Sequence, residues 1–167
     1  IINDGTKSND DRLGALGDIH YAIKIKNIDD DVAVIAGDNL FEFSLKEPLN
    51  LFKKIKSNVV ALYDVHDLEL AKQYGVVGVE NNIVVNFEEK PDAPKSTLIS
   101  TGIYLFPKKT LPLIKKYIDQ GNDPDKSGSF IEWLHKRDNV YAYTTDKMWY
   151  DIGSFEQLEK ANKHFKG

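Results

Sequence analysis

The chain has 167 residues, 22 Lys plus Arg against 26 Asp plus Glu, a formal charge of −4 and no cysteine. Disulfides and thiolate zinc sites are therefore excluded, and the acidic balance is the reverse of a strong nucleic-acid binder's. With 41% apolar and 29% charged residues the chain suits one globular domain with a sizeable core. No apolar run is long enough to span a bilayer and nothing reads as a secretion signal, so no membrane partner is expected and the cytoplasm is the expected location.

The predicted elements alternate in type. Leu16, Ile19 and Ile23 fall near one face of a helix over 14–28. Residues 32–36 are apolar on both faces, which predicts a central, parallel strand. Pro48 sits near the start of a helix over 46–56, where a missing N–H costs little. Residues 58–63 predict a second buried strand, and Asp67 can cap a short helix ending near Tyr74.

The segment 76–90 reads as a hairpin turning at Asn81-Asn82, because Asn tolerates positive φ. A strand over 97–106 contains Gly102. Helices are expected at 109–119 and 129–137, the second opened by a capping box from Ser129 to Glu132. A short strand over 140–144 and a helix opened by Ser154 and Gln157 complete the chain. Alternating α and β elements interrupted by a hairpin predict an α/β layered domain with a mixed sheet.

Four short motifs could carry chemistry. Gly37-Asp38-Asn39 follows an apolar strand. In such sheets ligands sit beyond strand ends, and a carboxylate there can bind Mg²⁺, a hard cation. Taken alone, an Asx turn is the simpler reading. In Met148-Trp149-Tyr150-Asp151 an acid follows two aromatics just before a capped helix. A ligand role and an ordinary surface Asp account for it equally well. Glu88-Glu89-Lys90-Pro91 closes a strand. Lys90 could meet a phosphate and Glu89 could accept from sugar hydroxyls, although a solvated turn is the simpler reading. Gly75, in Tyr74-Gly75-Val76-Val77, allows a close backbone approach, but a plain helix-to-strand turn explains it.

Other candidates rank lower. His20, His66, His135 and His164 lack ligand spacing and read as surface residues. Gly14-Ala15-Leu16-Gly17 has the wrong spacing for a dinucleotide fingerprint.

The order of these motifs says more than any one of them. GDN, YGVV, EEKP, STGIYLF and WYDIGSFEQLEKAN, in that sequence, resemble the sugar-1-phosphate nucleotidyltransferases. The resemblance runs from Leu13 to Phe165 and is strongest to the glucose-1-phosphate thymidylyltransferase branch. It implies a three-layer, Rossmann-like α/β fold with a mixed, mostly parallel sheet. It implies that Asp38 and Asp151 bind the catalytic Mg²⁺ and that Lys90 meets the sugar phosphate. Gly75 would touch the sugar through its backbone, Glu89 would hold sugar hydroxyls, and Thr101-Gly102 would line the sugar pocket. Trp149 would stand near the sugar–phosphate end, and Leu13 to Asp18 would lead into a base-binding helix. The implied partners are a nucleoside triphosphate and a sugar 1-phosphate: dTTP with UTP next, and glucose 1-phosphate. Members of such families often assemble, so a homo-oligomer is an expected form.

Such a reaction suits these residues. A sugar phosphate is already an anionic nucleophile, so positioning and charge neutralisation replace a side-chain base. Against the family pattern, the Gly-rich basic loop that wraps the triphosphate has no counterpart here. The sequence begins Ile1-Ile2-Asn3-Asp4, with Met148 its only methionine. The expectation is a domain without its N-terminal signature-loop portion, having little or no transferase activity by itself. Two rival readings stand beside this one. A glycosyltransferase would want Asp-x-Asp, where this chain has Asp38-Asn39-Leu40. A non-catalytic nucleotide-sugar-binding regulatory domain would not need both Asp38 and Asp151.

Overall fold

The computed structural model describes residues 1–165. Its centre is β3 (Asn58–Asp64), where Val59, Val60, Ala61 and Leu62 are at most 1% exposed. β-Branched and aliphatic side chains on both faces suit a strand covered on two sides. On one edge of β3 runs β6 (Leu98–Phe106), antiparallel, and beyond it β1 (Val32–Ile35). On the other edge lies β7 (Val140–Thr145), parallel to β3 from Asn58 opposite Val140 to Tyr63 opposite Thr145.

A hairpin of β4 (Gly75–Glu80) and β5 (Ile83–Glu89) completes six strands in the order β1-β6-β3-β7-β5-β4. It turns at Asn81 and Asn82, with φ of 49° and 62°, as the Asn pair predicts. The hairpin meets the rest of the sheet at one pair near each end, Val76 opposite Ile99 and Ile83 opposite Tyr141. A separate two-stranded ribbon joins β2 (Asn39–Phe41) to β8 (Trp149–Asp151).

Helices cover both faces. On one side α1 (Ala15–Lys26), α4 (Leu111–Asp119) and α5 (Ser127–His135) pack Leu16, Ile114, Tyr117, Phe130 and Leu134 against Val60, Leu62 and Phe106. On the other, α2 (Lys46–Ile55) seats Phe52 on Val59 and Leu105. The short α3 (Leu68–Ala71) buries Ala71 beside Phe43 and Trp149. The last helix, α6 (Phe155–His164), follows β8 directly.

Several expectations need correction. The sheet is mixed, but among the described residues only β3 and β7 pair in parallel; the other pairings are antiparallel. β6, reversed between β1 and β3, accounts for two of these pairings, and the β4–β5 hairpin with its contacts to β6 and β7 accounts for the rest. β1 is an edge strand rather than a central one, and Ala33 and Ile35 are exposed. Its all-apolar text does not separate a covered face from an uncovered one. α5 begins at Ser127, so Ser129 lies inside its first turn and caps nothing. α3 ends at Ala71 and a turn carries the chain to Tyr74. The capping by Asp67 holds, through Glu69 N at 2.8 Å and Leu70 N at 3.2 Å. So does that by Ser154, through Gln157 N at 3.2 Å; Gln157 reaches back to Gly153 N instead of to the cap residue itself. His135 is half-buried, and its Nε2 is buried without a hydrogen-bond partner.

Candidate active site

β1 stops at Ile35, and Ala36 N donates to Gly102 O at 3.1 Å. That bond ties the outgoing turn to the middle of β6. The turn carries Asp38 into β2, where Asn39 pairs with Asp151 across the ribbon. Ile152 N donates to Asp38 O at 2.8 Å, which locks the two aspartates onto one short structure. Gly102 has φ of 76°, a conformation that L side chains rarely adopt. A Cβ there would also meet the Ala36 Cβ at 3.0 Å and the Asn39 amide nitrogen at 3.3 Å.

Across the gap, Gly75 opens β4 and pairs with Glu89, which closes β5. A Cβ on Gly75 would lie 2.6 Å from the buried Phe87 ring and 3.1 Å from Glu89 Oε2. A Cβ on Gly128, in the first turn of α5, would lie 2.2 Å from the same oxygen. The Glu89 carboxylate thus occupies a slot that two glycines leave open. Lys90 follows with φ of 49°, its N–H donating to Tyr74 O at 3.0 Å.

All eight residues singled out in the sequence line one cavity of about 350 Å³: Asp38, Gly75, Glu89, Lys90, Thr101, Gly102, Trp149 and Asp151. From the segment Leu13 to Asp18, Ala15 lines the same cavity. Thr101 is buried, and its hydroxyl donates to Ala61 O at 3.0 Å. Trp149 is held by Tyr63 and Tyr74, with ring centroids 5.9 and 5.6 Å away.

The charges of the cavity are mutually dependent. Burial pushes the Glu89 carboxyl up from its ordinary range, and Lys90 and Lys126 partly restore it. Burial also pushes the Asp151 carboxyl up; the Asp38 charge adds to this and Lys90 opposes it. Two carboxylates facing one space attract a cation. Among the described residues no three His, Cys, Asp or Glu side chains gather as a metal cage. Two carboxylates lining a polar cavity suit a hard cation that takes oxygen ligands and keeps several waters, as Mg²⁺ does.

Sequence reasoning missed other lining residues. Tyr104 is buried on the cavity floor, its hydroxyl 3.2 Å from both Ser100 Oγ and Ser127 Oγ. Gly128 precedes the helix expected over 129–137, so the text gave no signal of its close approach to Glu89. Lys126 and Ser127 carried no signal either.

A mixed sheet between helical layers, with a polar cavity beyond a strand end, is a layered α/β arrangement that places ligands at strand ends. The comparisons narrow this. The nucleotidyl transferase family matches residues 6–166, and the chain belongs to that family. A Clostridium acetobutylicum glucose-1-phosphate adenylyltransferase is 31% identical over a 147-residue alignment that covers 83% of this chain and 38% of that protein. A Bacillus anthracis protein described as a glucose-1-phosphate thymidylyltransferase, solved with sucrose, superposes with a TM-score of 0.76 at 26% identity. It is matched over 92% of this chain and 61% of its own. A UDP-glucose pyrophosphorylase complexed with UDP-glucose gives 0.75 at 25% identity, over 92% and 63%. The chain therefore spans well under half of the curated relative and under two thirds of each solved structure.

Proposed function

We propose that this chain is the sugar-phosphate and metal-carboxylate part of a sugar-1-phosphate nucleotidyltransferase. The reaction joins glucose 1-phosphate to dTTP and releases pyrophosphate. One observation above all supports this: residues drawn from five separate motifs line a single cavity.

In this reading Glu89 accepts hydrogen bonds from sugar hydroxyls and Gly75 presents bare backbone to the ring. Lys90 meets the sugar phosphate as a point charge. Thr101 and Gly102 shape the floor, and Trp149 borders the sugar–phosphate end. A phosphate oxygen of the sugar phosphate attacks the α-phosphorus in line. The new O–P bond forms as the bond to pyrophosphate breaks, and no proton moves. Asp38 and Asp151 hold Mg²⁺, which when bound neutralises the phosphates that must approach one another. The side chains here position reactants and offset charge, so a nucleophile–base pair is not needed.

The base is the finer part of the proposal. The GDN text and the likeness to the B. anthracis structure favour thymine. The nearly equal superposition on the UDP-glucose pyrophosphorylase keeps UTP as the second reading.

The test is pyrophosphate release by the product of the intact gene, with Mg²⁺, glucose 1-phosphate and each nucleoside triphosphate in turn. Release with dTTP, lost by about 100-fold or more in Asp38→Asn and Asp151→Asn, is the expected outcome. Release with UTP alone would reassign the base. A folded protein that binds a nucleotide-sugar but turns over no triphosphate would replace the transferase reading with a regulatory binding domain.

A further inference from the structure

Asn39 lies between the two parts of the metal side, and both ends of its amide are bonded. Its Nδ2 donates to Asp38 Oδ1 at 3.2 Å and to Ala36 O at 3.3 Å. Its Oδ1 accepts from Trp149 Nε1. Its backbone N–H donates to Ala36 O at 3.3 Å, and its register partner across the ribbon is Asp151. Its Nδ2 also faces the open side of Gly102, where a Cβ would come within 3.3 Å.

These contacts fix which end of the amide points where. A donor must face Asp38 and an acceptor must face the indole. Neither leucine nor aspartate offers both. A turn former bonds only nearby backbone, as Asn39 does at Ala36 O. Asn39 also reaches a carboxylate and an indole 110 residues further on.

We infer that Asn39 is a positioning residue, which orients the Asp38 carboxylate for a divalent cation and couples Trp149 to that carboxylate through one amide. The inference rests on the proposed metal role of Asp38 and Asp151. A partner that holds a metal ligand in one orientation usually contributes about 10- to 100-fold to metal affinity. Through Asn39, cation binding at Asp38 should register at the Trp149 indole, which is packed against Tyr63 and Tyr74.

The test needs no turnover. In the 167-residue chain carrying Trp133→Phe, Trp149 is the remaining tryptophan. Mn²⁺ is titrated with two readouts, free Mn²⁺ by electron paramagnetic resonance and indole emission. The expected result is saturable binding with a change in emission. Asn39→Ala should raise the half-saturating Mn²⁺ about tenfold and uncouple emission from binding. Asn39→Asp keeps an acceptor for the indole and loses the donor to Asp38. It should keep the metal-free emission and lose the Mn²⁺ response. Thermal unfolding of each variant separates a folding defect from a binding defect. Unchanged Mn²⁺ affinity in a folded Asn39→Ala chain, with binding abolished by Asp38→Asn, would overturn the positioning role alone. Undiminished Mn²⁺ binding in Asp38→Asn, or no binding by the unmutated site, would overturn the metal reading and this inference together.

Discussion

The two walls of the cavity are built differently. The wall proposed to hold the sugar, the sugar wall, comes from β4, β5, β6 and the start of α5, and is shaped by missing side chains against a buried ring. Gly75 and Gly128 make room for Phe87 and for the Glu89 carboxylate, and Phe87 is 1% exposed. The wall proposed to hold the metal, the metal wall, is a ribbon of three residues per strand. It is held by backbone bonds from Ile152 to Asp38 and from Glu42 to Met148, and by the Asn39 amide. Asp38 is exposed and Asp151 half-buried. Dense packing resists changes of volume, whereas a small hydrogen-bonded ribbon responds to changes of charge. Substitutions on the sugar wall should therefore register as stability and fit, and those on the metal wall as charge.

The largest effect is expected where the sugar wall meets the core. Phe87→Ala should destabilise the chain by about 3–5 kcal/mol, by lost transfer energy and a residual cavity. Urea unfolding measures it. A loss under about 1 kcal/mol would mean that the wall can collapse and that the contrast between walls is false.

The glycine pair sharpens the contrast within one wall. Gly75→Ala must displace a buried ring and should be destabilising by about 1–3 kcal/mol. Gly128→Ala meets the Glu89 carboxylate first, at 2.2 Å, and the end of that side chain can swing aside. Its loss of stability should be smaller, while affinity for glucose 1-phosphate falls about tenfold, or about 1.4 kcal/mol. Thermal unfolding and calorimetric titration separate the two effects. Equal destabilisation by both would show that Phe87, rather than Glu89, decides the fit at Gly128.

Glu89 gives the pH test. Burial raises its folded-state carboxyl above the ordinary value of 4.5. Between those two values the folded chain holds more proton than the unfolded chain. Stability therefore falls as pH rises through that window. Glu89→Gln should remove this slope and be the more stable chain above the window, while losing affinity for the sugar. Unfolding free energies of the two chains across pH 4 to 8 check the sign, and parallel curves would refute the raised value.

Much of this site was legible in the text because its residues sit at element ends. Apolar runs broken by Gly37, Pro91 or Gly153 mark strand ends, and the carboxylates and the lysine fall just there. The hairpin was readable because two consecutive asparagines admit the positive φ that its turn adopts. The position of β1 was not readable. Four apolar residues suit a covered strand and an edge strand alike, and pairing with a reversed β6 depends on chain segments 70 residues apart. Nor was the Gly128 slot readable, since it depends on α5 meeting β5. The Asn39 amide was visible as a letter in GDN, but its distant partner, the Trp149 indole, is set by the ribbon.

The smallest expected effect lies on the metal wall and has an unusual sign. Asp151 is partly buried beside Asp38, and both circumstances disfavour its charge. Asp151→Asn removes that repulsion and keeps a similar shape. In metal-free buffer near neutral pH the variant should melt on the order of 1–3 °C higher than the parent chain. Added Mg²⁺ should then raise the melting temperature of the parent by mass action and leave the variant unchanged. The two curves should therefore converge or cross as Mg²⁺ increases. A variant that melts lower in metal-free buffer would show Asp151 acting as a structural acceptor, and the ribbon would then resemble the sugar wall in being held by fit rather than by charge.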